Sequence, residues 1–297
     1  MGQAGRPFTA DVLRPYAALV TPSAQVDLDA AIGYVVAHGD EVDRARLAYL
    51  RTGAHPDPAV LEIVEAGQVG DAGWPGREDE RVPSVDATCF RFAELDDLGA
   101  LGRPAARQAM DWLAVTQRPD GTWEEDPALA ESAPPWARPG DPEARLYLTA
   151  NAAFWLSAGG LQARSGGPLD RRVGGAYAGV VAHAADALAA SLAEDGTWPS
   201  YLVTGWLGAA VLFGQGRYGE SVRMRLVLRR RLDDIPPSGL AWAAAALRRL
   251  GLPADDPFVA AARQRLAQTQ RSDGSWPSED GDAFVVHTTL TAIRACR

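Results

Sequence analysis

The sequence predicts an all-α fold built from about six helical hairpins. Two observations lead to this prediction. A short turn motif that ends in tryptophan occurs four times along the chain. Each copy lies between two stretches in which apolar residues recur at three- and four-residue steps, the period of an amphipathic helix. So composite a motif does not recur by chance, and it indicates a protein built from repeats.

Each repeat consists of a helix, a turn and a second helix. The four turns end at Trp74, Trp123, Trp198 and Trp276, and three of these residues have a glutamine six residues before them. A glycine in the turn ends the first helix, because glycine adopts the left-handed conformation at little cost. The first helices are predicted at residues 59–68, 104–117, 176–192 and 257–270. The second helices are predicted at residues 84–98, 144–158, 201–213 and 284–295.

Two further helix pairs lack the Trp turn. They are predicted at residues 221–231 with 240–250 and, from a weaker pattern, at residues 27–37 with 41–52. Twelve helices in six hairpins can close into an inner and an outer ring, or they can stack as an open superhelix. We expect a single domain over residues 1–297, with the weakest repeat match in residues 1–57, and we expect the helices that follow the Trp turns to form the inner ring.

Charge and composition exclude several classes of protein. The 297 residues carry 29 basic and 38 acidic side chains, a net charge of −9, whereas nucleic-acid binding needs clustered cations. The sequence contains no apolar run long enough to span a membrane, and its start does not resemble a secretory signal. The two cysteines, Cys89 and Cys296, do not form a disulfide framework. We therefore expect a cytoplasmic protein that has no nucleic-acid partner.

The longest predicted loop, residues 124–143, is rich in proline and acidic residues. A loop of this length in a compact domain is usually a lid or a disordered flap. Trp136 lies within it and provides an apolar side chain that can cover a cavity. A glycine-rich stretch at residues 159–175 is predicted to be a surface connection.

The repeated Gln-x-x-Asp-Gly-x-Trp motif, followed by an apolar helix, resembles the repeat of squalene cyclases, class II terpene cyclases and the β subunits of protein prenyltransferases. The resemblance covers about residues 58–297. It implies the α6–α6 barrel of that family, with a deep apolar cavity. It also implies an isoprenoid or another long apolar substrate that reaches the cavity near the N-termini of the inner helices. The chemistry itself depends on the residues of the site rather than on the fold.

The acid motif of the cyclases, Asp-x-Asp-Asp-Thr-Ala, has its best match at residues 84–89, where the middle aspartate, Asp86, and the threonine, Thr88, are present. The resemblance implies that Asp86 is the catalytic proton donor. Such an acid holds its proton through apolar burial or a neighbouring carboxylate, and the flanking residues Ser84 and Ala87 supply no second charge. The competing interpretation is that Asp86 only caps its helix.

His287 occupies the corresponding place in the last repeat. If the ring closes, the resemblance implies that His287 orients the Asp86 carboxyl or removes a proton from a carbocation. Alternatively, it is a core histidine bonded to backbone. The acidic string of Glu94, Asp96 and Asp97 lies at the far end of the helix that carries Asp86, and we interpret it as a solvated helix end.

Several side chains on the predicted inner helices are candidates for substrate binding. Aromatic faces stabilise a carbocation through cation–π interactions, and buried polar groups need partners. The candidates are Phe90, Tyr147, Asn151, Trp155, Tyr201, Thr204, Trp206 and Trp242. The competing interpretation is that the aromatic residues form ordinary core and that Asn151 and Thr204 make hydrogen bonds between helices.

No zinc or magnesium cofactor is expected. Asp86, Cys89 and His287 are the residue types of the prenyltransferase zinc site, but the spacing of Asp86 and Cys89 differs from the family's Asp-x-Cys, and zinc needs three or four ligands at fixed distances. The aspartate-rich magnesium motif of class I terpene synthases is absent from the sequence.

The first functional hypothesis is a terpene cyclase-like isomerase or lyase that carries out acid-initiated cyclisation or isomerisation of an isoprenoid or similar apolar substrate. The alternative is a non-catalytic barrel that binds a lipid or isoprenoid, or that interacts with a protein. A protein partner or a homo-oligomer is compatible with both. A third hypothesis, a sugar-active α/α barrel, requires two carboxylates that flank a glycosidic bond, and the sequence shows no second acid near the mouth.

Overall fold

The computed structural model describes residues 25–162 and 175–297, and within these ranges twelve α-helices follow one another. Six of them form an inner ring: α2 (Glu41–Thr52), α4 (Val85–Asp97), α6 (Pro142–Gln162), α8 (Leu202–Gly214), α10 (Pro237–Arg249) and α12 (Val285–Cys296). The other six lie outside them: α1 (Leu28–His38), α3 (Pro58–Glu65), α5 (Pro104–Thr116), α7 (Ala178–Ala190), α9 (Tyr218–Arg230) and α11 (Pro257–Thr269). In the described ranges, none of these helices is long and apolar enough to cross a membrane.

The inner helices close into a ring. Each packs against the next in the order α2, α4, α6, α8, α10 and α12, and α12 packs against α2 again. The outer helices pack against the outside of this ring, as α3 does against α4 and α11 does against α10. The predicted α6–α6 barrel is therefore confirmed. The open superhelix is wrong, because a superhelix keeps its first and last repeats apart.

The Trp turn fastens the end of an outer helix to the next inner helix. Trp123 is fully buried and donates its indole N–H to the Leu113 carbonyl oxygen in the last turn of α5, at 2.8 Å. Its backbone N–H donates to the Thr149 hydroxyl on α6 at 3.1 Å. Trp74 and Trp276 make the same two kinds of hydrogen bond. The indole thus adds a hydrogen bond to a carbonyl oxygen in the last turn of the outer helix.

The last repeat closes the barrel by binding the first. Gln270, which follows α11, donates from Nε2 to the Asp27 carbonyl oxygen and accepts from the Asp27 N–H, both at 2.8 Å. Asp27 caps α1. Gly274 in the same turn has φ = +88°, and a Cβ atom there would lie 2.2 Å from the carbonyl carbon of Ala30. This turn requires glycine because α1 packs directly on its backbone.

The predicted loop at residues 124–143 folds around two short 3-10 helices, Pro127–Leu129 and Pro135–Ala137. The second of these packs against α6 and carries Trp136 to the end of the barrel where the inner helices begin. Helix α6 is longer than predicted, with 21 residues. The predicted surface connection at residues 159–175 lies mostly outside the described residues.

Candidate functional site

The centre of the barrel is a cavity of about 800 Å³. It runs along α4 from Asp86 in the first turn to Asp97 in the last, a distance of about 16 Å at the helical rise per residue. Between these ends the wall is mostly apolar and aromatic. Its large side chains are Phe90, Phe154, Trp155, Val203, Trp206 and Trp242. A cavity of this size and lining is typical of a site for an apolar small molecule.

Asp86 lies at the mouth of the cavity, where the inner helices begin. Its Oδ1 accepts a hydrogen bond from the Tyr147 hydroxyl on α6 at 2.7 Å, and its Oδ2 accepts from the Trp136 indole N–H at 2.9 Å. Asn151 donates from Nδ2 to the Tyr147 oxygen at 3.1 Å. Burial raises the pKa of Asp86, and the hydrogen bonds from Tyr147 and Trp136 oppose that rise. The net effect favours a protonated carboxyl.

Other residues cap the helix on which Asp86 lies. Ser84 is the N-cap of α4, and its Oγ accepts from the Ala87 N–H at 3.1 Å. Glu125 accepts from the N–H groups of Val85 and Asp86, at 2.8 and 2.9 Å. The competing interpretation of Asp86 as a capping residue is therefore wrong, because other side chains hold the N–H groups of the first turn.

His287 lies on α12 and lines the same cavity as Asp86. Its ring stacks on Phe90 with centroids 5.8 Å apart, and its Nδ1 lies 3.2 Å from the Arg46 guanidinium on α2. A guanidinium only donates, so Nδ1 is the acceptor and the imidazole is neutral. Burial and the Arg46 charge lower the pKa of His287 to about 4. The expected hydrogen bond from His287 to Asp86 is not formed: His287 pairs with Arg46, and the Asp86 carboxyl accepts from Tyr147 and Trp136.

Charged side chains close the opposite end of the cavity. Asp96 accepts from two nitrogens of Arg249 on α10, at 2.9 to 3.2 Å, and from Arg294 on α12. Asp97 accepts from Arg294 and, at 2.7 Å, from Arg46 on α2. We call these five residues the ionic floor. The prediction of a solvated helix end is wrong, because arginines of three other helices pair with the aspartates, whose side chains are 2% and 6% exposed.

Six of the eight candidate binding residues line the cavity: Phe90, Tyr147, Asn151, Trp155, Trp206 and Trp242. Tyr201 and Thr204 are not among the lining residues. Thr204 is fully buried, with its hydroxyl 2.8 Å from that of Ser200. Tyr201 packs edge-on against Tyr147 with ring centroids 6.3 Å apart, and its carbonyl oxygen accepts the Trp198 indole N–H. Both residues therefore belong to the turn that starts α8.

Two residues beside Asp86 have roles that the sequence did not indicate. Trp136, expected only as a cover for the cavity, donates directly to the Asp86 carboxyl. Glu125 is a second carboxylate beside Asp86, although the flanking motif residues supply none. It is 3% exposed and also accepts from the Ser84 hydroxyl at 2.7 Å. Its one sequence signal is that it follows Trp123 by two residues, in a segment typical of an acidic surface loop.

Glu125 lies behind the first turn of α4 and is not among the cavity-lining residues. The two acids therefore do not flank a bond held in the cavity, as a sugar-active barrel requires. Cys89, one turn along α4 from Asp86, is buried, and burial raises the pKa of its thiol. In residues 25–162 and 175–297, no group of three or more His, Cys, Asp or Glu side chains is arranged to hold a metal ion.

Neither a family model nor a curated protein matches the sequence. Several solved structures share its fold. A protein from Actinoplanes is 18% identical, with a TM-score of 0.58, over 91% of this chain and 97% of that chain. The type II terpene cyclase MstE from Scytonema is 18% identical, with a TM-score of 0.55, over 91% of this chain and 95% of that chain. An MstE variant in complex with its substrate, geranylgeranyl dihydroxybenzoate, is 19% identical, with a TM-score of 0.53, over the same shares. The chain therefore has a class II terpene cyclase-like fold.

Proposed function

We propose that this protein is a class II type enzyme that protonates an isoprenoid, or a similarly apolar substrate, from Asp86 and so cyclises or isomerises it. The observation that carries the proposal is a carboxyl group with a raised pKa at one end of an aromatic cavity of about 800 Å³. An acid that starts such a reaction must keep its proton near neutral pH until an alkene lies against it.

The contacts of Asp86 suit the transfer of its proton. The π electrons of a substrate double bond take the proton, so that a C–H bond forms and a carboxylate remains. The Tyr147 hydroxyl and the Trp136 indole N–H then donate to this carboxylate and stabilise its charge. Asn151 directs the Tyr147 proton, because its amide donates to the Tyr147 oxygen and leaves the hydroxyl hydrogen for Asp86.

The cavity wall suits the cation that protonation creates. Aromatic faces attract a carbocation, and the wall contains a Trp206–Trp242 pair with ring centroids 5.9 Å apart. His287 is neutral near pH 7 because its pKa is lowered, so it adds no charge that repels the cation. The arginines at the cavity are paired within the ionic floor. Loss of a proton from a carbon next to the cation, to the new carboxylate or to solvent at the mouth, completes the reaction.

The comparison with MstE supports a single barrel as the catalytic unit. The match spans 95% of the chain of that type II terpene cyclase, so a barrel of about this size accompanies the activity there. Its substrate, geranylgeranyl dihydroxybenzoate, contains an isoprenoid chain. An apolar chain of this kind fits the apolar wall between Asp86 and the ionic floor.

Turnover in deuterated water tests the proposal. The protein is incubated with geranylgeranyl dihydroxybenzoate or, as a second probe, geranylgeraniol. The products are separated, and their masses are measured by mass spectrometry. Protonation followed by proton loss produces an isomer with unchanged mass in H₂O and one added deuterium in D₂O, because the acid exchanges its proton with solvent. We expect Asp86→Asn to lower turnover by about 100-fold or more while the helix content is retained.

Asp233→Asn is the matched control. Asp233 is exposed in the short 3-10 helix Leu232–Asp234 on the outside of the barrel, and we expect wild-type turnover from this variant. Turnover that survives Asp86→Asn contradicts the proposal. Binding of a probe by the wild-type protein without any product favours the non-catalytic isoprenoid-binding barrel instead.

A further inference from the structure

Glu125 holds the first turn of α4 from outside the helix. Its Oε1 accepts from the Ser84 hydroxyl at 2.7 Å and from the Asp86 N–H at 2.9 Å. Its Oε2 accepts from the Val85 N–H at 2.8 Å. One buried carboxylate therefore receives three hydrogen bonds at a helix N-terminus, where the helix dipole also favours negative charge.

These hydrogen bonds determine which backbone N–H groups remain free to bind the Asp86 side chain. A carboxylate in the first helical turn is normally stabilised by unpaired backbone N–H groups, which lower its pKa. Here Glu125 holds the N–H groups of Val85 and Asp86, and Ser84 holds that of Ala87. The helix terminus therefore offers the Asp86 carboxylate no free backbone N–H to stabilise its ionised form.

The charge of Glu125 acts on Asp86 in the same direction. The two carboxyls are both buried and repel each other when both are ionised, so the pair binds one proton more tightly than two separate carboxyls would. Glu125 accepts three hydrogen bonds at the helix N-terminus, whereas Asp86 accepts two, so within the pair the negative charge belongs on Glu125 and the proton on Asp86.

The other titratable groups that face Asp86 from the packed helices are uncharged. They are Cys89 on α4, Tyr147 on α6 and His287 on α12. On the loop side, Glu124 is neutralised by ion pairs with Arg118 at 2.7 Å and Arg145 at 3.3 Å. Glu125, by contrast, is held by uncharged donors, and one of them is the backbone N–H of Asp86 itself.

We propose that Glu125 is the positioning residue of the acid: it holds the first turn of α4 and carries the negative charge of the carboxyl pair, so that Asp86 keeps the proton that it delivers. This inference rests on the proposed function, in which Asp86 is the proton donor. An acid motif with a single aspartate thus obtains its second carboxylate from a loop later in the chain.

The test compares Glu125→Gln with the wild-type protein. The infrared C=O band of the protonated carboxyl, assigned through Asp86→Asn, is titrated from about pH 5 to about pH 9 without any substrate. The pH–rate profile with geranylgeranyl dihydroxybenzoate is the second measurement. Without the neighbouring charge the pKa of Asp86 falls, so the band and the alkaline limb of the rate both move to lower pH by about one unit. On the alkaline side this is about a tenfold loss of rate.

A second variant controls for a local distortion of the helix start in Glu125→Gln. In Glu125→Gln the amide oxygen still accepts from Ser84 and Asp86, but the amide nitrogen faces the Val85 N–H. The double variant Val85→Pro/Glu125→Gln removes that N–H. Proline is favoured at the first helical position, and Ser84 before it has φ −101° and ψ 136°, which suits a residue that precedes proline. We expect the same shift of the Asp86 band from both variants.

Glu124→Gln is the matched control, because it removes a neighbouring charge that lies outside the site, and it leaves both titrations unchanged. Glu125→Asp keeps the charge and restores most of the wild-type titration. Two results overturn the inference, even if Asp86→Asn abolishes turnover. One is an Asp86 band that does not move in Glu125→Gln or in the double variant. The other is an Asp86 side chain that is ionised throughout the titration of the wild type. If the band shifts but the protein converts neither probe, the effect of Glu125 on Asp86 stands and only the proposed function is overturned.

Discussion

Asp96→Asn is the substitution for which the structure predicts the largest loss of stability. The Asp96 side chain is 2% exposed, accepts from two nitrogens of Arg249 at 2.9 to 3.2 Å, and also pairs with Arg294. Helices α4 and α10 lie opposite each other in the ring of six, so the pair with Arg249 spans the cavity floor. Asparagine keeps the size of the side chain but removes the charge that the two guanidinium groups share.

The expected magnitude follows from burial. Removing one partner from a buried ion pair costs about 3–5 kcal/mol, because the remaining charges stay desolvated. At about 2–4 °C per kcal/mol for a chain of this size, Tm falls by about 6–20 °C. Burial acts to raise the pKa of Asp96, but Arg294 and Arg249 outweigh it and hold the pKa below 3.8. The stability that Asp96 contributes is therefore complete above that pH and is lost as the pH falls through the lowered pKa.

Thermal and urea unfolding followed by circular dichroism, near neutral pH and below the pKa of an ordinary aspartate, measure both effects. The matched control is Asp234→Asn, which breaks the Arg231–Asp234 pair, whose side chains are 51% and 60% exposed. We expect the control to change the free energy of unfolding by at most about 0.5 kcal/mol. An Asp96→Asn variant as stable as the control would refute the reasoning, because it would mean that the floor is not desolvated.

Two further predictions concern Trp136 and the closure of the ring. Trp136→Phe removes a hydrogen bond that favours ionised Asp86, so the pKa of Asp86 rises. The alkaline limb of the pH–rate profile is expected to move up by about one pH unit, and a downward shift contradicts this. Gln270→Ala removes both hydrogen bonds to Asp27 and costs about 1–3 kcal/mol, and hydrogen exchange of the α1 amides is expected to accelerate. Unchanged exchange in α1 would show that the ring closes without this contact.

The helices were predictable because their signals are local. Residues 41–52 were predicted as a helix and form α2, and the prediction at residues 104–117 differs from α5 by one residue. A periodic apolar face, an N-cap and a glycine in the turn all act within a few residues of one another. The four Trp turns added the order of inner and outer helices, since each lies between one helix and the next, and three of the indoles bond the end of the outer helix.

The acid was predictable and its surroundings were not. Asp86 stands in a recognisable motif, but Glu125 is 39 residues away in sequence from Asp86, and Tyr147 is 61 residues away. Trp136 belongs to a loop whose composition indicates only a flap. No periodicity in these segments specifies which side chain folds back onto α4, because that choice depends on the packing of helices that are distant in sequence.

The hairpins and their repetition follow from the order of residues alone, because helical periodicity and turn chemistry act over short distances. Where the charges lie depends on the assembled barrel. The sequence at the end of α4 is typical of a polar helix terminus in water. In the structure Asp96 and Asp97 are buried, because three arginines pair with them from other helices: Arg46, Arg249 and Arg294. A carboxylate is stable out of water only when such partners surround it, and only the tertiary structure brings them together.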